Sequence, residues 1–259
     1  MSAQALIQLD QVGKTYATRD GGSVHALGPI SFSVGRQEFI TIVGPSGCGK
    51  STLLRMIAGL IGHTSGSVLL AGNPVMGPSP SVGMVFQDAV MLPWRTAIEN
   101  VMVPADVLRL DRKASLARAH SLLALVGLGD FAHKYPGELS GGMQQRVAIA
   151  RSLLHDPPLL LMDEPFGALD AMTRETMNLE IRRIWREQKK TVVFVTHSIA
   201  EAVFLGTRVV VLSSRPGRVA EIVEVGLPDE RSLDMMNSDQ FGTYTRRIRA
   251  LFNARGAIE

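Results

Sequence analysis

A chain of 259 residues, 46% apolar and 20% charged, has the composition of an ordinary globular protein with ample material for one large core. Its 27 basic against 24 acidic residues are interspersed and leave a net charge of only +3, which argues against a nucleic-acid partner. The single cysteine excludes an internal disulfide, and no apolar run reaches the roughly 18 residues of a membrane span. The start, Met1-Ser2-Ala3-Gln4-Ala5-Leu6, lacks the pattern of a secretory signal, so a soluble, cytoplasmic protein is expected.

Short β-rich runs open the chain at residues 7–12, 30–34 and 39–43, the last apolar apart from Thr41. A glycine-rich loop and a helical pattern over 50–60 follow at once, giving strand–loop–helix. Residues 67–70 and 82–86 read as further strands. From 96 to 154 the pattern is helical, with Leu116, Leu123 and Val126 spaced for one face of a helix starting near Asp111. Strands return at 159–162, 191–195 and 209–212, and Met177, Ile181, Ile184 and Trp185 mark one face of an intervening helix. This alternation implies a mostly parallel sheet with covered faces. An α/β core over 1–87 and 156–228 is therefore expected, interrupted by a helical insertion at 88–155. After Pro228 a polar stretch leads to a short helical tail, 229–259, too small for a domain of its own. Within it, Arg246-Arg247-Ile248-Arg249 reads as a solvated helix face.

Gly44-Pro45-Ser46-Gly47-Cys48-Gly49-Lys50-Ser51-Thr52 contains G-x-x-x-x-G-K-[ST] in full, between a buried strand and a helix. The glycines let backbone N–H groups wrap phosphates, Lys50 would reach the β- and γ-phosphates, and Ser51 would ligate Mg²⁺. Cys48 has no Cys-x-x-Cys partner or nearby histidine and reads as a small packed residue. Leu159-Leu160-Leu161-Met162-Asp163-Glu164-Pro165 is a buried strand ending in two acids at the sheet edge where ligands bind. Asp163 is the candidate Mg²⁺ ligand and Glu164 the candidate general base. Gln87, Asp170 and His197 lie at edges of the same sheet; singly such residues are more often structural, and only their order beside the two acids lifts them. A second phosphate cradle stands at Leu139-Ser140-Gly141-Gly142-Met143-Gln144-Gln145-Arg146, a hydroxyl and two glycine amides at a helix start. Two such loops need either two nucleotides or one nucleotide held between two copies.

With these residues in order, the chain resembles the ATP-binding subunits of ABC transporters over nearly its whole length. The resemblance implies the P-loop ABC ATPase fold: a RecA-like, mostly parallel sheet core, an N-terminal antiparallel β-subdomain and an inserted helical signature subdomain. It implies that Tyr16 stacks on adenine and that the loop from Gly44 to Thr52 holds the phosphates. Gln87 would sense Mg²⁺, the attacking water and the membrane partner, and His197 would contact the γ-phosphate. Ser140, Gly141 and Gly142, with Asp170 of the D-loop, would serve ATP bound to another copy, making the protein a homodimer. Met143 stands where glutamine is commonest, and a silent difference is expected.

Long coiled coils, zinc-binding cysteines and a second cassette, which mark non-transport relatives, are absent from the sequence. By analogy the chain is a separate ATPase subunit, peripheral on the cytoplasmic face of the membrane and bound to two permease subunits. Asp88-Ala89-Val90-Met91-Leu92-Pro93-Trp94-Arg95 would be the docking loop, unless Leu92 and Trp94 simply pack into the insertion's core. Leu92-Pro93-Trp94-Arg95 and Ser213-Ser214-Arg215-Pro216-Gly217-Arg218-Val219 resemble the nitrate, sulfonate and taurine importer group. That group uses a periplasmic or lipoprotein solute-binding protein. A lipid-trafficking or efflux ATPase is the alternative, and the Arg-Pro-Gly segment also reads as a plain turn.

Overall fold

The computed structural model describes residues 5–253; the first four residues of the expected leaderless start and the last six of the tail lie outside them. β1 (Ala5–Ala17) and β2 (Ser23–Gly35) pair antiparallel. β3 (Phe39–Val43) is buried along its whole length and feeds α1 (Lys50–Ile57). β4 (Ser65–Leu70) returns antiparallel to β1, and the two-residue β5 (Asn73–Pro74) completes a sheet of order β2-β1-β4-β5. This is the expected antiparallel β-subdomain. β1 and β2 run well past the apolar runs that marked them, because β1 is bulged and its partly exposed end, through Tyr16, still pairs with β2.

β6 (Val82–Val85) leads into the helical insertion: α2 (Ala97–Val101), α3 (Val103–Leu108), α4 (Arg112–Leu125) and α5 (Gly141–Leu153). Thr96 and Glu99 form a reciprocal capping box on α2, and the Asp111 side chain caps α4 by accepting from the Ala114 N–H at 2.7 Å. One expectation fails here. Leu116 is 41% exposed, and α4 instead buries Ser115, Ala119, Leu122 and Leu123; small side chains on that face let it approach its neighbours closely. Leu123 and Val126 are buried as expected.

β7 (Leu159–Asp163), α6 (Ala171–Gln188), β8 (Thr191–Val195), α7 (Ile199–Leu205), β9 (Arg208–Leu212) and β10 (Val219–Glu224) complete the core. The strand order is β10-β9-β3-β8-β7-β6, parallel except for the antiparallel edge strand β10. Alternate residues of the central strands enter two separate cores. Phe39, Leu160, Met162, Val192 and Phe194 pack toward the helical side, while Ile40, Ile42, Leu161, Val193 and Val195 pack toward α1 and the β-subdomain. Burial on both faces explains why these strands read as continuous apolar runs. Met177, Ile181, Ile184 and Trp185 form the buried stripe of α6, with Trp185 edge-on to Phe39 at 5.9 Å between ring centroids.

The tail helix α8 (Asp239–Asn253) docks on the core through buried Phe241 and Ile248, leaving Arg246, Arg247 and Arg249 exposed. Two buried arginines secure the chain before it. Arg231 Nη1 donates to the Val203 and Phe204 carbonyls at 2.7 and 2.6 Å, and Arg182 Nη1 to Leu205 at 2.7 Å, so both cations meet the C-terminus of α7. Burial pulls the Arg182 guanidinium down to about 9 and that of Arg231 to about 10.

Candidate nucleotide-binding site

The turn between β3 and α1 is built on backbone that side chains resist. Gly47 and Gly49 adopt φ of 73° and 97°, and a Cβ on Gly49 would lie 2.7 Å from the Leu27 side chain. Gly49 is also the N-cap of α1 and has no side chain to cap it, so no cap occupies the helix start where anions bind. Cys48 is fully buried, and a Cβ on Gly44 would meet its Sγ at 2.7 Å. Burial raises the Cys48 thiol above its ordinary value, so the side chain is a packed neutral group under the loop. Lys50 is 4% exposed, and its Nζ donates to the Gly44 and Pro45 carbonyls at 2.8 and 3.0 Å.

The Ser51 hydroxyl donates to Asp163 Oδ1 at 2.9 Å, joining the first turn of α1 to the end of β7. Burial pushes the Asp163 carboxyl above the usual carboxylate range, with the Ser51 hydrogen bond opposing that shift. A hydroxyl and a buried carboxylate side by side are hard oxygen donors suited to Mg²⁺. Two protein oxygens fill only part of an octahedral shell, so they fit an ion that keeps waters and takes phosphate oxygens from its substrate.

Glu164 follows with φ 48°, and its N–H donates to the Val195 carbonyl at 3.0 Å, carrying the β7–β8 ladder one step beyond the strand. Its Oε1 lies 2.6 Å from His197 Nε2, beyond the end of β8. The His197 backbone is fixed on both sides. The Ser198 N–H donates to Thr196 Oγ1 at 3.0 Å, that hydroxyl donates to the buried Glu201 carboxylate, and Ser198 caps α7 by accepting from the Glu201 N–H at 3.2 Å. Burial raises the Glu201 carboxyl.

These elements converge on one open groove of about 360 Å³, whose walls include Tyr16, Ser46, Lys50, Gln87, Glu164 and His197. Tyr16 is 40% exposed there, with Lys14 Nζ 5.1 Å from its ring centroid. Val24, Ala26 and Arg215 line the same groove, and the sequence had not assigned them to it. The 213–219 segment that carries Arg215 reads as a subgroup marker and a turn, neither of which places it in the groove. For Val24 and Ala26, two small apolar residues on a strand, there was no signal.

Ser140, Gly141, Gly142 and Asp170 are not in the groove walls. Ser140 caps α5, its Oγ accepting from the Met143 N–H at 3.2 Å, and Asp170 caps α6 by accepting from the Thr173 N–H at 2.9 Å. The two caps are neighbours, since a Cβ on Gly142 would sit 3.0 Å from Leu169 Cδ2. Met143 is half-buried against the core. One chain thus carries an open groove walled by Lys50, Glu164 and His197 and, away from it, the Ser140-Gly141-Gly142 helix start.

Trp94 is 71% exposed and Val90 61%, with Leu92 half-buried, so the core alternative for Trp94 does not hold. The loop under them is tied down. Arg151 donates to the Ala89 and Val90 carbonyls at 2.7 and 2.9 Å, and the buried Asn100 amide accepts from the Leu92 N–H and donates to the Leu92, Arg95 and Thr96 carbonyls. No helix among the described residues is long and apolar enough to cross a membrane.

Comparison with known proteins matches residues 27–167 to the ABC transporter family. The chain is 45% identical to the taurine import ATP-binding protein TauB of Rhizobium johnstonii, over 96% of this chain and 97% of that one. It is 41% identical to the aliphatic sulfonates import ATP-binding protein SsuB of Bacillus cereus, over 98% of both. Among solved structures, a dimeric ATP-binding cassette in a post-hydrolysis state, bound to ADP and Pi, is 34% identical. It superposes with a TM-score of 0.77 over 86% of this chain and all of that one.

Proposed function

The chain belongs to the ABC transporter family of ATP-binding proteins and is an ATPase, and from that premise we propose that two copies close around two ATP molecules to drive uptake of a small sulfonate-type anion. The observation that carries the dimer is the half-built site. The groove holds Lys50, Glu164 and His197 but takes nothing from the Ser140-Gly141-Gly142 helix start. A head-to-tail pair supplies each groove with that missing face, in an isologous arrangement.

Tyr16 stacks on the adenine, and the backbone of the Gly44–Thr52 loop wraps the phosphates. Lys50, now bonded to the neutral carbonyls of its own loop, exchanges them for the more negative β- and γ-phosphate oxygens. Ser51 and Asp163, with Gln87, would hold Mg²⁺, which would neutralise charge developing on the phosphate oxygens. A Glu164 carboxylate oxygen accepts a proton from the attacking water as that water's oxygen bonds to the γ-phosphorus. The bond to the β–γ bridging oxygen breaks, leaving ADP and inorganic phosphate. His197, in contact with Glu164, orients the carboxylate and donates toward the γ-phosphate. Ser140 and the Gly141 and Gly142 amides of the second copy complete the cage.

Two permease subunits at the membrane's cytoplasmic face receive this motion through the exposed, braced Val90–Trp94 surface, fed outside by a solute-binding protein. The names of the TauB and SsuB relatives support import of a sulfonate over lipid movement or efflux. Light scattering of the Glu164→Gln protein with ATP tests the closure: a dimer is expected, and Ser140→Arg on that background returns it to monomer. A dimer that survives Ser140→Arg sinks the head-to-tail model.

A further inference from the structure

The loop between β9 and β10 is stitched to the back of the phosphate loop. The Gly217 N–H donates to the Ala26 carbonyl at 3.3 Å and its carbonyl accepts from the Gly28 N–H at 2.9 Å, which bridges the loop to β2. A Cβ on Gly217 would fall 2.0 Å from the Cys48 carbonyl oxygen, so only glycine permits this approach. Ser213 and Arg218 close the loop on itself: the Ser213 N–H donates to the Arg218 carbonyl at 2.9 Å, and Ser213 Oγ accepts from the Arg218 N–H at 3.1 Å. The residue carried at the tip is Arg215. Its Nε donates to the Gly47 carbonyl at 3.3 Å, and its Nη2 lies 3.4 Å from where a Gly47 Cβ would be.

Arg215 therefore reaches Gly47 of the phosphate loop and shares the groove's lining with Ser46 and Lys50. It is exposed and makes no ion pair among the described residues. Among the described residues, the one acid lining the groove, Glu164, is engaged by His197. A guanidinium is charged at any physiological pH and offers a fork of donors that matches phosphate oxygens. Among the described residues the Arg215 side chain donates once, from Nε, which leaves both Nη groups for a ligand.

We propose that Arg215 is a second nucleotide-binding cation, donating to the phosphate chain of bound ATP across the phosphate loop from Lys50. This rests on the groove being the ATP site. The glycine at 217 and the stitched loop are then the means of bringing a cation from the hairpin of β9, the neighbour of β3, and the edge strand β10 onto the nucleotide.

Calorimetric titration of the full chain with ATP, ADP and adenosine tests it. Arg215→Met keeps the length of the side chain and removes the charge; about a tenfold loss in ATP affinity is expected, the low end for a charge-assisted bond at an exposed site. Adenosine affinity should not move. Arg215→Lys should recover part of the ATP affinity, and the Met variant should show a shallower dependence on salt than the parent. Parental ATP affinity in Arg215→Met overturns the proposal. Equal loss of ATP and adenosine also overturns it, because that pattern belongs to a residue that only props the loop. A folded parent that binds no ATP overturns the reading of the groove itself.

Discussion

Replacing Glu164 by glutamine separates chemistry from every other role of this residue. The amide has the carboxylate's size, tolerates the same φ of 48°, and leaves the backbone bond to Val195 untouched. Its oxygen can still accept from His197 Nε2, which lies 2.6 Å away in the parent. The His197 side chain is 47% exposed, so losing the charged character of that contact costs at most about 1 kcal/mol of stability. An amide cannot take a proton from water, however. Loss of a general base typically slows turnover by about 10²–10⁴-fold, or roughly 3–5 kcal/mol of barrier. The predicted signature is thus a near-parental melting temperature, intact ATP binding, and phosphate release reduced by that factor. Steady-state phosphate release, thermal melts and ATP titration measure all three. Turnover at the parental rate would refute the assignment of Glu164, and so would a loss of turnover matched by loss of ATP binding.

The Val90–Trp94 surface predicts that Trp94→Ser leaves ATPase activity of the isolated subunit unchanged while uncoupling it from uptake in membranes; parallel loss of both would point to a structural Trp94. Glu201 gives a pH test. Its folded carboxyl is raised by burial, so its proton-linked stability is full below the unfolded value and is lost as pH rises through the raised one. Glu201→Gln keeps an acceptor for the Thr196 hydroxyl and should gain stability relative to the parent as pH climbs from the acid range to neutrality. Denaturant melts across that range decide it, and a relative gain by the parent on raising pH would sink the argument.

The parts of this molecule legible in its sequence are those where one physical demand dominates. β3 and β8 match residue for residue because strands buried on both faces are nearly all apolar, the two exceptions, Thr41 and Thr191, having hydrogen-bonded hydroxyls. The turn between β3 and α1 is legible because Gly47 and Gly49 take positive φ, which favours glycine, and Lys50 Nζ donates to a carbonyl of that turn. Legibility fades where demands compete. β10 reads Val-Ala-Glu-Ile-Val-Glu with only Val223 buried, since an edge strand need satisfy only one neighbour. On α4 the leucine spacing selected Leu116, whereas packing selected small side chains such as Ser115 and Ala119. Arg215 lies 168 residues from the Gly47 carbonyl it touches, and no local pattern encodes such a meeting.

The two ends of the proposed machine are joined by one element. α5 begins at Gly141, capped by Ser140, where ATP on the second copy would bind. Its own side chains then hold the opposite region: Gln145 Nε2 donates to the Phe86 carbonyl at 2.9 Å, just before Gln87, and Arg151 grips Ala89 and Val90. Gln145 is 2% exposed, so its bond is shielded from competing water. A helix of 13 residues spans about 20 Å, and along that length α5 ties the Ser140 cap to Phe86, next to the groove's Gln87, and to the exposed Trp94 loop. Pulling on the cap by closure around ATP must therefore displace the loop or break those three contacts. The contacts are short, and the one from Gln145 is buried, so displacement of the loop is the less costly response, and that displacement is what a permease seated on Val90 and Trp94 would feel.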